Sequence, residues 1–411
     1  MRLPVAGSMT EPAGPPAGAR RSPAALAAVA FGLWVVMLGA TLPTPLYPIY
    51  EGQFHFAATT VTVIYASYVI GVLAGLLLIA RASDTIGRRP VLLLGVASAV
   101  VSSLVFVLAT GVPDLLIGRV LSGLSVGLVS STATAALTEL EPTANRYRAS
   151  RIAATVILIG LASGPLLAGV LAEYAPSPTA LVYWVDVGLL VAVSLGFLFI
   201  PETAPLRGQR ARWTPPRWSV PRDVRTVFVI AAAAGFAGFA VVGLFTALTG
   251  TILITVLSVS NLAVVGAVVF ALFATAAVAQ LLWTPARSGQ PMVYGLAVLF
   301  LGIALDLGSL YARSTPLFGL GILATGVGYG LLFLGSLELI NERVPPEQRG
   351  ELLGEYFIVV YLGLSAPVIG VGVLSDSYGL VTASAIFAGF IVALLLVAVA
   401  LIRRAGLTRA R

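Results

Sequence analysis

Among the charged side chains inside the long apolar runs of this sequence, where a charge is costly, three are the main candidates for chemistry. They are Arg119, Asp186 and Asp306. Charged residues in a hydrocarbon environment usually face a protein interior or a water-filled cavity and mark a functional site. At helical spacing Arg119 shares a face with small or polar residues, namely Gly123, Gly127, Ser130 and Thr134. We predict that Arg119 lines a functional cavity; the alternative is an arginine that extends to the outer membrane interface.

The two acids also have a structural interpretation. Asp186 and Asp306 both lie near the end of an apolar run, where a solvated or paired acid is the favoured interpretation of each. If Arg119 needs an embedded acid with which to exchange protons, Asp186 is the better candidate of the two. The first two apolar runs add four hydroxyl-bearing residues that either line a substrate cavity or hydrogen-bond to neighbouring helices: Thr44, Tyr47, Tyr65 and Tyr68.

A short turn between the second and third apolar runs carries an acid and three arginines. Residues 80–90 read Ala-Arg-Ala-Ser-Asp-Thr-Ile-Gly-Arg-Arg-Pro, and include Asp84, Gly87, Arg88 and Arg89. An acid in such a turn can cap the positive N-terminus of a neighbouring helix, an interaction worth about 0.3–1 kcal/mol. Glycine permits a tight turn that other residues resist. The alternative is that these arginines only set the membrane topology.

The fifth apolar run combines glycines with an internal proline. Gly160, Gly164 and Gly169 place small residues at helical spacing, which allows close helix contact. Pro165 removes a backbone hydrogen bond and can kink the helix. By itself this stretch indicates close packing, because such glycine patterns are common packing devices.

Composition excludes several kinds of chemistry. The 411 residues include no cysteine and no lysine, which rules out disulfides, thiolate metal sites and the lysine-containing phosphate loop. No Ser/His/Asp set or carboxylate pair stands in a soluble segment, and the one histidine, His55, lies in a loop. We therefore predict that the chain is not an enzyme and uses no metal and no cofactor.

The elements that position these residues are membrane helices. Hydrophobic residues make up 58% of the chain and charged residues 10%, and the mean hydropathy is +1.00, which is far outside the range of soluble domains. Runs of about 20 apolar residues can cross a hydrocarbon core roughly 30 Å thick as helices. Twelve such runs can be read, at 24–47, 58–80, 90–110, 113–138, 149–173, 180–200, 226–247, 260–283, 292–311, 315–340, 350–373 and 379–402.

The arginines predict the orientation of these helices. Of the 24 arginines, all but Arg119 and Arg313 lie before the first run, in alternate loops or in the tail. Short arginine-rich loops stay in the cytoplasm, so we predict a multi-pass protein of the plasma membrane with both termini cytoplasmic. The net charge of +7 then indicates topology and contact with anionic lipid, and no nucleic-acid partner.

The sequence is internally duplicated. An offset of 203 residues aligns glycines, prolines and charges of the two halves: Gly123 with Gly326, Gly127 with Gly330, Glu139 with Glu342, Pro142 with Pro345, Arg146 with Arg349 and Gly160 with Gly363. We predict a disordered cytoplasmic tail at 1–23, six-helix bundles at 24–203 and 226–404, a cytoplasmic linker at 204–225 and a tail at 405–411. Duplicated six-helix halves are one plan of transport proteins, with the substrate site between them at the midplane.

The motifs described above resemble those of the major facilitator superfamily. The turn at 80–90 is similar to the family pattern G-x-L-a-D-r-x-G-R-K/R, with Ala80 and Ala82 at the first two positions. Gly118–Gly123 is similar to the R-x-x-q-G motif of helix four, in which Ser122 replaces the common glutamine. Gly160–Gly169 is similar to the G-x-x-x-G-P-x-x-G-G signature of helix five, with Ala168 in place of one glycine.

The resemblance implies roles for these residues. Asp84, Arg88 and Glu139 would latch the cytoplasmic side against the start of helix eleven, with Gly87 and Arg89 in the same turn. Arg119, together with Ser122 and Asp186, would take part in proton coupling. The helix-five signature is found mainly in exporters that exchange substrate for protons.

We therefore predict an all-α membrane protein with twelve helices in two pseudo-symmetric six-helix bundles. Its predicted function is proton-coupled efflux of small molecules, such as a drug or a metabolite, by alternating access. The proton gradient replaces a cofactor, and the predicted partners are substrate, protons and the lipid bilayer around a monomer. Two alternatives stay open: a proton-coupled importer or uniporter of a small solute, and a non-transporting membrane sensor or scaffold.

Overall fold

The computed structural model describes residues 22–79, 86–143, 145–204, 220–283 and 290–404. Within these ranges all regular secondary structure is helical, and twelve helices are long and apolar enough to cross a membrane. This confirms the predicted all-α membrane fold. Asp84, Arg81 and Arg287, most of the predicted linker and both predicted tails lie outside the described residues, apart from Ser22 and Pro23.

We label the membrane helices α1–α12 in chain order. Their bounds are Pro23–Thr41 (α1), Ala58–Ile79 (α2), Arg88–Val107 (α3), Val112–Leu140 (α4), Arg146–Tyr174 (α5), Pro178–Phe199 (α6), Arg225–Thr255 (α7), Leu262–Leu282 (α8), Gln290–Ala312 (α9), Thr315–Arg343 (α10), Pro346–Tyr378 (α11) and Leu380–Arg404 (α12). A 3₁₀ turn at Thr44–Leu46 and a short helix at Tyr47–Phe54 continue α1, and together we call them the α1 extension.

Local sequence explains where several helices begin. The side chains of Ser22, Asn145, Asn261 and Ser314 accept hydrogen bonds from backbone amides in the first turns of α1, α5, α8 and α10. Short polar side chains at this position satisfy amides that lack a partner within the helix. Proline follows at the first or second helical position of α1 and α10, where its missing N–H has no cost.

Because the helices alternate in direction, the bundle has two distinct ends. We call the end with the loops before α1, α3, α5, α7, α9 and α11 the arginine-rich end, since these loops hold most of the arginines. The far end holds the loops before α2, α4, α6, α8, α10 and α12. Arg119 therefore lies about two helical turns from the far end of α4.

Glycines that the 203-residue offset aligns make equivalent contacts in the two halves. Gly123 of α4 lies against the Tyr68 carbonyl of α2, and Gly326 of α10 lies against the Leu272 carbonyl of α8. In the same way Gly160 packs α5 on α1, and Gly363 packs α11 on α7. A side chain at these positions would overlap the neighbouring helix. The duplication read from the sequence is therefore also a duplication of helix packing.

The two halves contact each other through α2 with α11 and α5 with α8. At the far end, four pairs of residues form hydrogen bonds between the halves: Glu51 with Thr251, Thr59 with Asp376, Glu173 with Leu262 and Tyr174 with Asn261. At the arginine-rich end, the described ranges show one such bond, from Arg151 to the Leu281 carbonyl, beside an open groove between α5 and α8. The structure is thus closed at the far end.

Candidate functional site

Arg119 is buried inside the first half. Its side chain is only 2% exposed, and its Nη1 donates a hydrogen bond of 2.7 Å to the Ala40 carbonyl. Ala40 lies in the last turn of α1, where backbone carbonyls lack helical partners and the helix dipole favours a cation. The alternative of an arginine that extends to the membrane interface therefore does not hold.

Two tyrosine rings of α2 cover the guanidinium. Its carbon lies 4.7 Å from the ring centroid of Tyr68 and 5.3 Å from that of Tyr65. Desolvated cation–π contacts of this kind contribute about 2 kcal/mol. The Tyr65 hydroxyl shares a hydrogen bond of 2.6 Å with the Thr246 hydroxyl of α7, in the other half. Arg119 is thus linked through a single tyrosine to the interface between the two halves.

The second half presents aromatic rings to this interface. Tyr329 and Tyr361 of α10 and α11 lie near Tyr65 across the interface. Phe239 of α7 contacts both rings edge-on, with centroid distances of 5.7 and 5.8 Å. Phe236, Phe333 and Phe357, all only partly buried, lie at similar depth on α7, α10 and α11, roughly 16 Å from the arginine-rich end. The midplane therefore has a cationic side and an aromatic side.

Asp186 lies beside the same segment of α1 that Arg119 contacts. It is 1% exposed, and its Oδ2 accepts a hydrogen bond of 2.6 Å from Ser103 of α3. A side chain at Gly39 would lie 3.1 Å from this carboxyl group, while Arg119 binds the carbonyl of the next residue, Ala40. Arg119 and Asp186 therefore face the same segment of α1 without forming an ion pair.

A small polar cavity adjoins Asp186. Serine hydroxyls of α3 and α4 line it, including Ser122, which sequence analysis assigned to this site. Asp186 Oδ1 and the Ser125 hydroxyl are buried there with no hydrogen-bond partner in the part of the chain that the structure describes. Of the two expected states, a solvated or a paired acid, the solvated one does not apply to Asp186, because α1, α3 and α4 enclose it; its partner is the Ser103 hydroxyl.

Asp306 is also buried, at 5% exposure, so it is not solvated either. Its Oδ2 accepts a hydrogen bond of 2.8 Å from Thr325 of α10. The offset of 203 residues aligns Asp306 with Ser103 and Thr325 with Ser122. The two halves thus place a buried carboxyl group in corresponding pockets but on different helices.

The four hydroxyl-bearing candidates separate into two pairs. Tyr65 and Tyr68 lie at the interface beside Arg119. Thr44 and Tyr47 are buried in the α1 extension at the far end, and the Tyr47 hydroxyl has no hydrogen-bond partner among the described residues. Of the four, the α2 pair covers the guanidinium, and Tyr47 lies near it.

At the arginine-rich end, the predicted pair of Arg88 and Glu139 is present. Arg88 Nη2 lies 3.1 Å from Glu139 Oε1, and the two side chains are 11% and 28% exposed. Thr203, just after α6, donates a hydrogen bond of 2.5 Å to the second carboxylate oxygen of Glu139. Asp84, the third predicted member of the latch, lies outside the described residues.

Gly87 adopts the backbone conformation for which glycine is suited. Its φ is +113°, a region that other residues rarely adopt. Glu202 accepts hydrogen bonds from the backbone amides of Arg88 and Arg89 at 2.7 and 3.2 Å, and so caps the N-terminus of α3. A side chain at Gly87 would meet the Glu202 carboxylate at 2.5 Å. Glycine at this position therefore leaves room for Glu202, in the segment after α6, to cap the N-terminus of α3.

The helix-five glycines divide between two interfaces. Gly160 and Gly164 lie against the α1 backbone within the first half. Gly169 lies against the Leu262 carbonyl and Gly266 of α8, in the other half, and the Pro165 carbonyl faces Gly266 as well. The motif thus joins α5 to α1 on one side and seals the α5–α8 seam on the other.

The sequence model of the Major Facilitator Superfamily matches residues 29–267, more than half of the chain. The chain belongs to the major facilitator superfamily. Its helical architecture, with twelve helices long and apolar enough to cross a membrane among the described residues, agrees with this membership.

This superfamily member is similar to several known transporters. It is 31% identical over 168 residues to an uncharacterized MFS-type transporter of Mycobacterium tuberculosis, a match that covers 40% of this chain but only 24% of that relative. It is 25% identical to the Tetracenomycin C resistance and export protein of Streptomyces glaucescens, over 89% of this chain and 79% of the relative. A bacterial homolog of the human lysosomal transporter Spinster shares the fold, with a TM-score of 0.74, 15% identity, and coverage of 92% of this chain and 96% of that one.

Several residues of these sites were not predicted from the sequence. Glu202 and Thr203 stand in a polar segment after α6, where no pattern connects them with α3 or α4. The aromatic residues of α7, α10 and α11 are hidden among many others of their type. The acids Glu173 and Asp376 had a usable signal, because they differ by the same offset of 203 that aligns the halves.

Proposed function

We propose that this superfamily member exports small molecules in exchange for protons by alternating access. Superfamily membership supports transport, and the helix-five motif and the Streptomyces export protein support export. The arginine-rich loops support a cytoplasmic location of that end and of both termini.

The main support for proton coupling is that Arg119 and Asp186 lie against the same short segment of α1, Gly39–Ala40. Arg119 holds a fixed positive charge on the Ala40 carbonyl. Asp186, next to Gly39, is a buried carboxyl group with a single hydrogen bond. A buried carboxylate is costly without a partner, so uptake of a proton there is favourable. Movement of α1 links that carboxyl group to the guanidinium, and through Tyr65 to the interface between the halves.

The proposed substrate is an apolar, aromatic compound that also accepts hydrogen bonds. The phenylalanines and tyrosines of α7, α10 and α11 supply stacking surfaces at the midplane. Pockets for small molecules are mostly apolar with a few placed polar groups, and the hydroxyls of Tyr65 and Tyr361 supply such groups here. Tetracenomycin C, which the name of the Streptomyces relative gives as exported, is a suitable first compound to test.

The test is transport in proteoliposomes under imposed pH gradients of either sign. An exporter of this kind moves substrate against its gradient only when protons flow in the opposite direction, and Asp186→Asn abolishes that response while counterflow exchange of substrate continues. Asp306→Asn is the matched control, because it removes an equally buried carboxyl group from the other half. An importer accumulates substrate in the same direction as protons, and a sensor or scaffold shows no substrate-dependent proton flux; either result contradicts the proposal.

A further inference from the structure

Two acids at the far end cap helices of the opposite half. Asp376, near the end of α11, accepts hydrogen bonds from the backbone amide and the hydroxyl group of Thr59 in the first turn of α2, at 3.3 and 2.5 Å. Glu173, near the end of α5, accepts a hydrogen bond of 2.8 Å from the backbone amide of Leu262, the first residue of α8. Both contacts cross the interface between the halves.

The two caps are copies of one arrangement. The offset of 203 residues aligns Glu173 with Asp376, and it also aligns Leu262 with Thr59. A glycine one helical turn before each acid contacts the capped helix: Gly169 lies against α8 and Gly372 against Thr62 of α2. The same acid, glycine and helix start thus meet twice, once on each side of the pseudo-twofold axis.

Helix geometry explains what each acid contributes. The first amides of a helix have no carbonyl partner within it, and a carboxylate is favoured near the positive N-terminus. The residue before α2 is Ala57, whose side chain cannot cap the helix. Asp376 of the other half supplies that cap. At α8 the side chain of Asn261 accepts from Val264, and Glu173 satisfies the Leu262 amide.

Both caps exist only while the far end is closed. When α2 moves away from α11 and α5 from α8, the carboxylates and the amides return to water. Because the contacts are exposed, each is a weak interaction that solvent screens. A contact of this strength biases a conformational equilibrium without locking it, as a gate that opens in every cycle requires.

We propose that the pairs Asp376–Thr59 and Glu173–Leu262 form the far-end gate of this transporter. Their four residues are positioning residues: they set the fraction of molecules that are closed at the far end, opposite the Arg88–Glu139 pair at the arginine-rich end. This proposal rests on the alternating-access function proposed above.

The absence of cysteine allows a direct test, because a single introduced cysteine reports without background. Thr62 is fully buried beneath the α2–α11 seam and serves as the reporter in the variant Thr62→Cys. In nanodiscs, we expect a membrane-impermeant maleimide to label this cysteine slowly. Adding Asp376→Asn and Glu173→Gln should raise the labelling rate about tenfold, as two lost caps imply. Each single change, and Thr59→Val, should give a smaller increase, and Thr59→Val should add little to Asp376→Asn.

Asp114→Asn is the matched control. Asp114 is also an acid at the far end that accepts from a threonine amide and hydroxyl, those of Thr110, but both residues belong to the same half. Labelling that stays at the starting rate in the double variant, or that rises equally with Asp114→Asn, overturns the gate. Because labelling needs no substrate, faster labelling without measurable transport keeps the gate and contradicts the proposed function. Proton-coupled transport together with an unchanged labelling rate in the double variant keeps the proposed function and contradicts the gate.

Discussion

At the scale of single residues, Arg119 shows how a buried charge is held. A guanidinium is planar, so it can lie against the rings of Tyr65 and Tyr68 while one of its nitrogens binds the Ala40 carbonyl. An ammonium group keeps the charge and one hydrogen bond, but it cannot lie flat on two rings. The two basic residues are therefore not interchangeable at this position.

We predict that Arg119→Lys lowers both the melting temperature and the transport rate. The lost ring contacts correspond to about 1–2 kcal/mol, or roughly a tenfold loss of transport if the same contacts position α2 during the cycle. Melting in detergent and initial transport rates in proteoliposomes measure the two effects. Arg313→Lys, in an exposed far-end loop, is the control. Wild-type behaviour of Arg119→Lys in both assays would contradict this role.

Glu141 is a residue outside the membrane helices whose charge stabilises a loop. Burial raises its pKa. Hydrogen bonds from the Asn145 amide and the Thr143 hydroxyl, together with the Arg148 guanidinium at 3.7 Å, lower the pKa by more than burial raises it. The net pKa lies below the ordinary value of 4.5. Glu141 therefore stabilises the fold above that pH, and this contribution is lost as the pH falls through the lowered pKa.

We predict that Glu141→Gln lowers the melting temperature at pH 7, and that the difference from the wild type narrows below about pH 4. Melting curves in detergent between pH 7 and pH 3 measure this. A difference that stays constant over that range would mean that the carboxylate charge is not what stabilises the loop.

At the scale of helices, glycines decide which pairs can approach closely. Gly169 brings the α5 backbone against the Leu262 carbonyl of α8, where even a methyl group overlaps. Gly188 of α6, in contrast, has no atom within 4 Å of an added Cβ. Identical substitutions at these positions therefore separate the effect on packing from the change in helix propensity.

We predict that Gly169→Ala shifts the protein away from the conformation closed at the far end and slows transport several-fold, because overpacking of this kind costs about 1–3 kcal/mol. Gly188→Ala should be silent. Maleimide labelling of Thr62→Cys in each background, together with transport rates, measures the two effects. Equal behaviour of both glycine variants would show that close approach at Gly169 is unimportant for the seam.

At the scale of the whole molecule, orientation in the membrane follows from the arginine-rich loops. Two exposed glycines with open space around them provide labelling positions at opposite ends: Gly52 in the α1 extension and Gly350 at the start of α11. A cysteine at either position is tolerated sterically, and the chain has no other cysteine.

We predict that an impermeant maleimide labels Gly52→Cys in intact cells and labels Gly350→Cys only after the membrane is permeabilised. This result would place the arginine-rich end in the cytoplasm. Labelling of both cysteines from the same side would refute the predicted topology, and the reverse pattern would refute its orientation.

The sequence alone determined the twelve apolar runs, the duplication and the motifs at residues 84–89, 119 and 160–169. These are local or periodic features: a run long enough to span the membrane must be a helix, and a repeated register shows up in sequence as an offset. Glycine spacing in α5 likewise indicated close packing, although it did not identify the partner helices.

Only the tertiary structure decided which groups meet. It buried Asp186 beside the α1 segment that binds Arg119, placed Glu202 on the start of α3 and set Glu173 and Asp376 on helices of the opposite halves. Hydrogen bonds between helices depend on the rotation of each helix about its axis and on its depth in the bundle. An apolar run specifies neither, because every face of such a helix is hydrophobic. Packing of the small residues fixes that rotation and depth, and so decides which polar groups come into contact.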